Sequence, residues 1–223
     1  AQFEDVDAVC MLSLSEKLLL TPVAHAAGKR VLWIEQDRIG RWIRKNPWLP
    51  LLKKRSLHAT IVTVSKLSKR LMEEIGFETS RMEAIANGID PSRFPDRPRT
   101  AHDGFRIACV ARLTRDKGVH ILVTACIGLP DVHVTIIGDG PEREHLLYQR
   151  EQTEQRQNIS ILPSANDVSE LYGKSDVLVL PSIDNDPFGM AAAEAMLCGV
   201  PTIVTDQCGI AGYLTHGKDA LIV

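Results

Sequence analysis

From Phe105 onward, short apolar runs alternate with stretches of helical spacing. In order these are RIACVA at 106–111, a helix from Asp116, VHVTIIG at 132–138, a helix from Pro141, ISIL at 159–162, VLVL at 177–180, a helix from Phe188, PTIV at 201–204 and ALIV at 220–223. This rhythm constrains the fold more than any other feature, because it is the mark of βαβ units. Runs that are apolar on both faces, such as 177–180, suit a parallel sheet covered by helices on each side. Six strands in about the length of one Rossmann domain predict a doubly wound parallel sheet.

Before Asp103 the same rhythm is thinner, with strands predicted at 8–12, 31–34, 59–64 and 82–85. Between the halves lies PSRFPDRPRTAHDG at 91–104, rich in Pro and charge and without sustained periodicity, which reads as an interdomain linker. The expected fold class is therefore α/β with two Rossmann-like domains meeting at a cleft: an incomplete N-terminal domain with its linker at 1–98, and a C-terminal doubly wound sheet at 99–223. The chain opens almost directly into an apolar strand and stops at Val223, within what reads as a buried strand. A domain rarely ends on an uncovered apolar edge, so residues are expected to be missing on both sides.

With 223 residues, 44% of them hydrophobic and 24% charged, the chain can bury one large core or two smaller ones. Its net charge of -2 gives no global field for nucleic acid, so electrostatic recognition must come from local clusters. Cys10, Cys109, Cys126, Cys198 and Cys208 form no Cys-x-x-Cys pair and are expected to be buried thiols in a reducing compartment. No leader pattern is present, and no apolar run approaches the roughly 18 residues of a membrane span. A cytoplasmic chain, at most resting on a membrane, is expected.

The most informative stretch is DPFGMAAAEAMLCGVPTIVT at 186–205. It sets Asp186, a glycine turn and a second carboxylate, Glu194, at the junction between a strand and a helix. Phe188, Gly189 and Met190 would leave backbone N–H groups open at the helix start, where a diphosphate is favoured by those donors and by the helix dipole. Gly189 lets the backbone approach closely. The plainer alternative is that Asp186 caps the helix and Glu194 is a solvated helix residue. A second stretch, VARLTRDKGVHILVTA at 110–125, ends a strand at Arg112 and places Lys117 at the next helix start, so that both cations would face the crevice at the carboxyl ends of the strands. Fixed cations there would stabilise a leaving diphosphate without a metal.

The 186–205 stretch resembles the Glu-(seven residues)-Glu signature of the retaining glycosyltransferases of family four and their relatives, the glycosyl transferases of group 1. Pro187, Phe188, Gly189, Glu194, Ala195, Met196, Gly199 and Pro201 all stand where that family has them. The resemblance implies the two-domain GT-B fold and transfer of a sugar from a nucleotide diphosphate sugar to an acceptor hydroxyl of a glycan or glycolipid, with retention. By the same resemblance Arg112 and Lys117 are the phosphate-binding pair, Asp186 lies beside the donor sugar and Glu194 holds the ribose hydroxyls. Asp186 departs from the family's glutamate and is shorter by one methylene.

IGDGPEREHL at 137–146 ends a strand with two glycines and opens a helix. It lacks the third glycine of a dinucleotide fingerprint, so NAD is disfavoured, and Gly138 and Gly140 are expected to line the nucleotide cleft in a structural role. Ser65 is predicted to cap a helix, and Asn87, Gly88 and Asp90 to form a turn. VTVSKLSKRLMEEIG and IANGIDPSRF, from 62 to 94, resemble the segment that closes the family's first domain. At the strand end IEQD, Gln36 stands where the family usually presents a histidine, and glutamine cannot carry a catalytic proton.

Residues 38–55 carry seven Lys and Arg with no acidic residue, among them Trp42 and Trp48. They read either as a face for an anionic membrane surface or as a solvated basic face whose tryptophans pack inward. No cofactor and no metal ligand set is expected, the nucleotide sugar being a substrate. Two alternatives stand beside the transferase: a nucleotide-sugar epimerase, and a non-catalytic nucleotide-sugar-binding protein.

Overall fold

The computed structural model describes residues 5–39, 41–94, 102–165 and 167–223. The side chains of Arg41 and Trp42, and residues 95–101 of the expected linker, lie outside the described residues. The chain divides into two compact units, residues 1–87 and 88–223.

The first unit runs β1 (Ala8–Met11), α1 (Leu14–Leu19), α2 (Thr21–Ala26), β2 (Arg30–Glu35), α3 (Arg41–Arg44), α4 (Leu49–Ser56), β3 (Thr60–Thr63), α5 (Lys66–Ile75) and β4 (Met82–Ala84). Its four strands lie in sequence order, and every pair is parallel. Local chemistry fixes the helix starts. Ser13 and Glu16 form a reciprocal capping box on α1, and the Ser65 hydroxyl accepts the Ser68 N–H at 3.0 Å on α5. Trp33, Ile61 and Met72 fill the core, and the Trp33 indole donates to the Thr21 hydroxyl at 3.0 Å, satisfying its one polar atom. Ile43 and Leu52 of the basic segment also pack into this core, whereas Trp48 is exposed.

The second unit runs β5 (Phe105–Val110), α6 (Val119–Ala125), β6 (Val132–Ile137), α7 (Arg143–Glu151), β7 (Ile159–Leu162), α8 (Ser169–Gly173), β8 (Val177–Leu180), α9 (Met190–Leu197), β9 (Thr202–Val204) and β10 (Leu221–Ile222). The six parallel strands stand in the order β10-β9-β8-β5-β6-β7. Counted from β5, this is the 3-2-1-4-5-6 order of a doubly wound Rossmann sheet, and the strand order reverses between β5 and β8. The crevice outside the carboxyl ends of these two strands is the general ligand position of such sheets. Helix starts fall slightly later than the sequence suggests: α7 begins at Arg143 and α9 at Met190, and the turn around Asp116 is a 3₁₀ helix, Arg115–Lys117, preceding α6.

Two expectations need correction. Cys109, Cys126 and Cys208 are buried, but Cys10, on the edge strand β1, is exposed and Cys198 is half-buried. The start of the predicted linker is ordered on the second unit: Pro91–Arg93 is a 3₁₀ turn capped by Asp90, and Phe94 is buried with its ring 6.5 Å from that of Tyr172.

Candidate functional site

Arg112 leaves the end of β5 with its neighbours pinned to the end of β6. The Ala111 N–H donates to the Ile137 carbonyl at 3.1 Å and the Leu113 N–H to the Asp139 carbonyl at 2.8 Å. This close approach is what the two glycines of the 137–146 stretch permit. A Cβ on Gly138 would stand 1.9 Å from the Ala111 carbonyl oxygen, and one on Gly140 would stand 2.4 Å from that of Leu113. Gly138 and Gly140 thus fix the path of the backbone that carries Arg112. The Arg112 side chain is exposed, and no described residue pairs with its guanidinium.

Lys117 lies five residues further on and is buried. Its ammonium meets a carboxylate oxygen of Asp186 at 2.7 Å, with 9% and 13% of the two side chains exposed. Gly118, at φ +65°, presses the loop after β5 against the loop after β8: a Cβ there would come within 1.9 Å of the Pro181 carbonyl oxygen. The Ile183 N–H then donates to the Asp116 carbonyl at 2.9 Å. The two loops flanking the strand-order reversal are thereby locked together, with the Lys117–Asp186 pair between them.

Asp186 is held on every side. Its backbone N–H donates to Gln207 at 2.8 Å, its carbonyl accepts from Gly209 at 2.9 Å, and its other carboxylate oxygen accepts the Phe188 N–H at 3.3 Å. The Ile210 N–H donates to the Phe188 carbonyl at 2.6 Å, so the loop after β9 clasps residues 186–188. The nearby Cys208 thiol is pushed up by burial and by the Asp186 charge. Gly189, at φ +92°, turns the chain into α9. Its N–H and that of Met190 have no backbone or side-chain acceptor among the described residues, leaving donors open at the helix start. Asp186 thus accepts the Phe188 N–H in the turn before α9 and pairs with Lys117.

Glu194, one turn and more along α9, is half-buried, and Tyr172 donates its hydroxyl to it at 3.1 Å. Burial pushes the Glu194 carboxyl above its ordinary value, opposed by that hydrogen bond and by the charge of Arg93. It is thus an oriented carboxylate rather than a solvated one. Tyr172, fully buried on the short helix α8, escaped the sequence reading, because Ser169–Gly173 is too short to show periodicity.

In the first unit Gln36 and Asp37 are exposed just beyond β2. Beside them Lys17, on α1, is buried and pairs with Glu35 at 2.8 Å, and burial pushes the Glu35 carboxyl up. Among the described residues no group of three or more His, Cys, Asp or Glu could hold a metal, and no helix is long and apolar enough to cross a membrane.

The chain is 30% identical over 219 residues to an exopolysaccharide phosphotransferase of Streptomyces coelicolor, covering 96% of this chain and 23% of that protein. It is 26% identical over 227 residues to a glycogen synthase of Mycobacterium tuberculosis, covering 98% and 51%. The chain thus spans between about a quarter and a half of these curated relatives. Its fold matches that of Anabaena HepE, solved in complex with UDP, at a TM-score of 0.86 and 20% identity over 98% of this chain and 65% of that one. The two parallel sheets are those of the GT-B glycosyltransferase fold. Residues 92–223 match the family described as glycosyl transferases group 1, and the chain belongs to that family.

Proposed function

We propose that the chain is the donor-binding part of a glycosyltransferase that moves a sugar from a nucleotide diphosphate sugar to an acceptor hydroxyl on a glycan or glycolipid, with retention of configuration. The observation that carries this reading is the placement of Arg112 and Lys117 on the loop after β5, and of the open N–H groups at the α9 start on the loop after β8, on either side of the strand-order reversal of the second unit. Arg112 and Lys117 take the diphosphate, whose negative charge grows as the glycosidic bond breaks, and the Gly189 and Met190 N–H groups add fixed donors. Glu194, oriented by Tyr172, accepts from the ribose hydroxyls. Asp186 lies beside the donor sugar, set back from it by its short side chain. The two cations do the work of a metal, so the reaction proceeds without one.

Transfer to a glycan acceptor is supported by the relatives named glycogen synthase and exopolysaccharide phosphotransferase. An exposed Trp48 among Lys45 and Lys54 supports contact with an anionic membrane surface, which binding to anionic vesicles tests.

The test is calorimetric titration with UDP and with GDP in the presence of EDTA. Saturable binding of one of them, lost in Arg112→Ala, supports a metal-independent donor site and identifies the base. Absence of binding by both overturns the reading and favours a non-catalytic chain.

A further inference from the structure

The phosphate-binding groups of the second unit already hold an anion, and that anion belongs to the protein. Asp186 touches Lys117 with one carboxylate oxygen and the Phe188 N–H, in the turn before α9, with the other. Lys117 is one of the groups assigned above to the diphosphate, and Arg112 is the other cation. We propose that Asp186 is a competing occupant of the phosphate site, so that a donor binds only by taking Lys117 over from it, and that this residue sets how tightly nucleotide donors are held. The inference rests on the reading of Lys117 as a phosphate ligand.

Three observations carry it. The pair is shielded, so the attraction is little screened and Lys117 offers a diphosphate far less net charge than a free lysine would. Asp186 is also the immovable partner: Gln207, Gly209 and the Asp186–Cys208 bridge hold its backbone, and the Phe188 N–H holds its side chain. Lys117 is a long side chain at the end of a 3₁₀ turn and can re-aim. The third is side-chain length. Aspartate sets its carboxylate 2.7 Å from the lysine ammonium while still accepting the Phe188 N–H. The pair holds Lys117 in place for the ligand while charging each ligand the loss of an ion pair. A diphosphate, with two phosphates and Arg112 to offset that loss, is favoured over a monophosphate.

The experiment is a double-mutant cycle read by calorimetry with inorganic pyrophosphate, UDP and uridine as probes, on wild type, Asp186→Asn, Lys117→Ala and the double variant. Asparagine keeps the shape and an acceptor for the Phe188 N–H while removing the charge. The expected result is pyrophosphate and UDP binding at least about tenfold tighter in Asp186→Asn, no such gain in the Lys117→Ala background, and unchanged uridine binding. Equal or weaker binding in Asp186→Asn overturns the proposal, and so does a gain that persists without Lys117, which would reflect bulk charge alone. If thermal melting shows that Asp186→Asn does not fold, Asp186→Ser gives the same comparison. Wild-type binding that is lost in Arg112→Ala, with no gain in Asp186→Asn, overturns this proposal and leaves the donor site standing. Absence of pyrophosphate and nucleotide binding in every variant overturns both.

Discussion

Tyr172→Phe removes a single hydroxyl, fully buried and 3.1 Å from Glu194. A hydrogen bond to a charged acceptor contributes about 1.5–3 kcal/mol, and half-exposure of the carboxylate lowers this to about 1–2 kcal/mol. The loss depends on pH in a defined direction. Glu194 is raised above its ordinary value of 4.5 by burial, so its ionisation costs stability that is present at low pH and lost as pH rises through the folded-state titration. Tyr172 limits that cost by donating to the ionised form. The variant therefore falls furthest below wild type at neutral pH. The gap contracts as pH drops through the folded-state titration of Glu194 towards 4.5. Urea unfolding of both proteins across this range, followed by far-UV circular dichroism, measures it. A gap that stays constant with pH, or no gap at neutral pH, refutes the claim that Tyr172 acts on the Glu194 carboxylate.

Two glycines at positive φ separate backbone strain from steric contact. Gly118→Ala meets the Pro181 carbonyl and should cost more than about 2 kcal/mol, whereas Gly128→Ala, at φ +85° in open space, should cost only about 1 kcal/mol; chemical denaturation compares them directly. Lys17→Met strands the shielded Glu35 carboxylate and should destabilise the first unit by about 3–5 kcal/mol at neutral pH. Because burial raises Glu35, the loss should shrink on acidification, and Lys17→Met with Glu35→Leu should recover most of it in thermal melts at neutral pH.

The strands of the second unit could be read from the sequence because a parallel strand buried on both faces has no polar positions to blur its run, as Val177–Leu180 illustrates. The doubly wound arrangement could be read as well, but the contact it makes could not: Lys117 and Asp186 stand 69 positions apart and meet because the β5 and β8 loops flank the reversal. Gly138 and Gly140 were visible as a turn. Their reason, the approach of the Ala111–Leu113 backbone, is a contact between strands and leaves no local mark. The helix starts read from sequence at Pro141 and Phe188 are early because apolar spacing does not separate a capping turn from a first helical residue. Phe94 lies in a Pro- and charge-rich stretch that reads as linker, and its packing on Tyr172 helps tie that stretch to the second unit.

The central claim is that the crevice between the β5 and β8 loops takes the diphosphate of a nucleotide. A crystal structure of this chain soaked with UDP or GDP in EDTA tests it most directly. The account predicts phosphate oxygens within hydrogen-bonding distance of Arg112, Lys117 and the Gly189 and Met190 N–H groups, with Glu194 on the ribose. A diphosphate bound away from Arg112 and Lys117, or a ribose that does not touch Glu194, would contradict it.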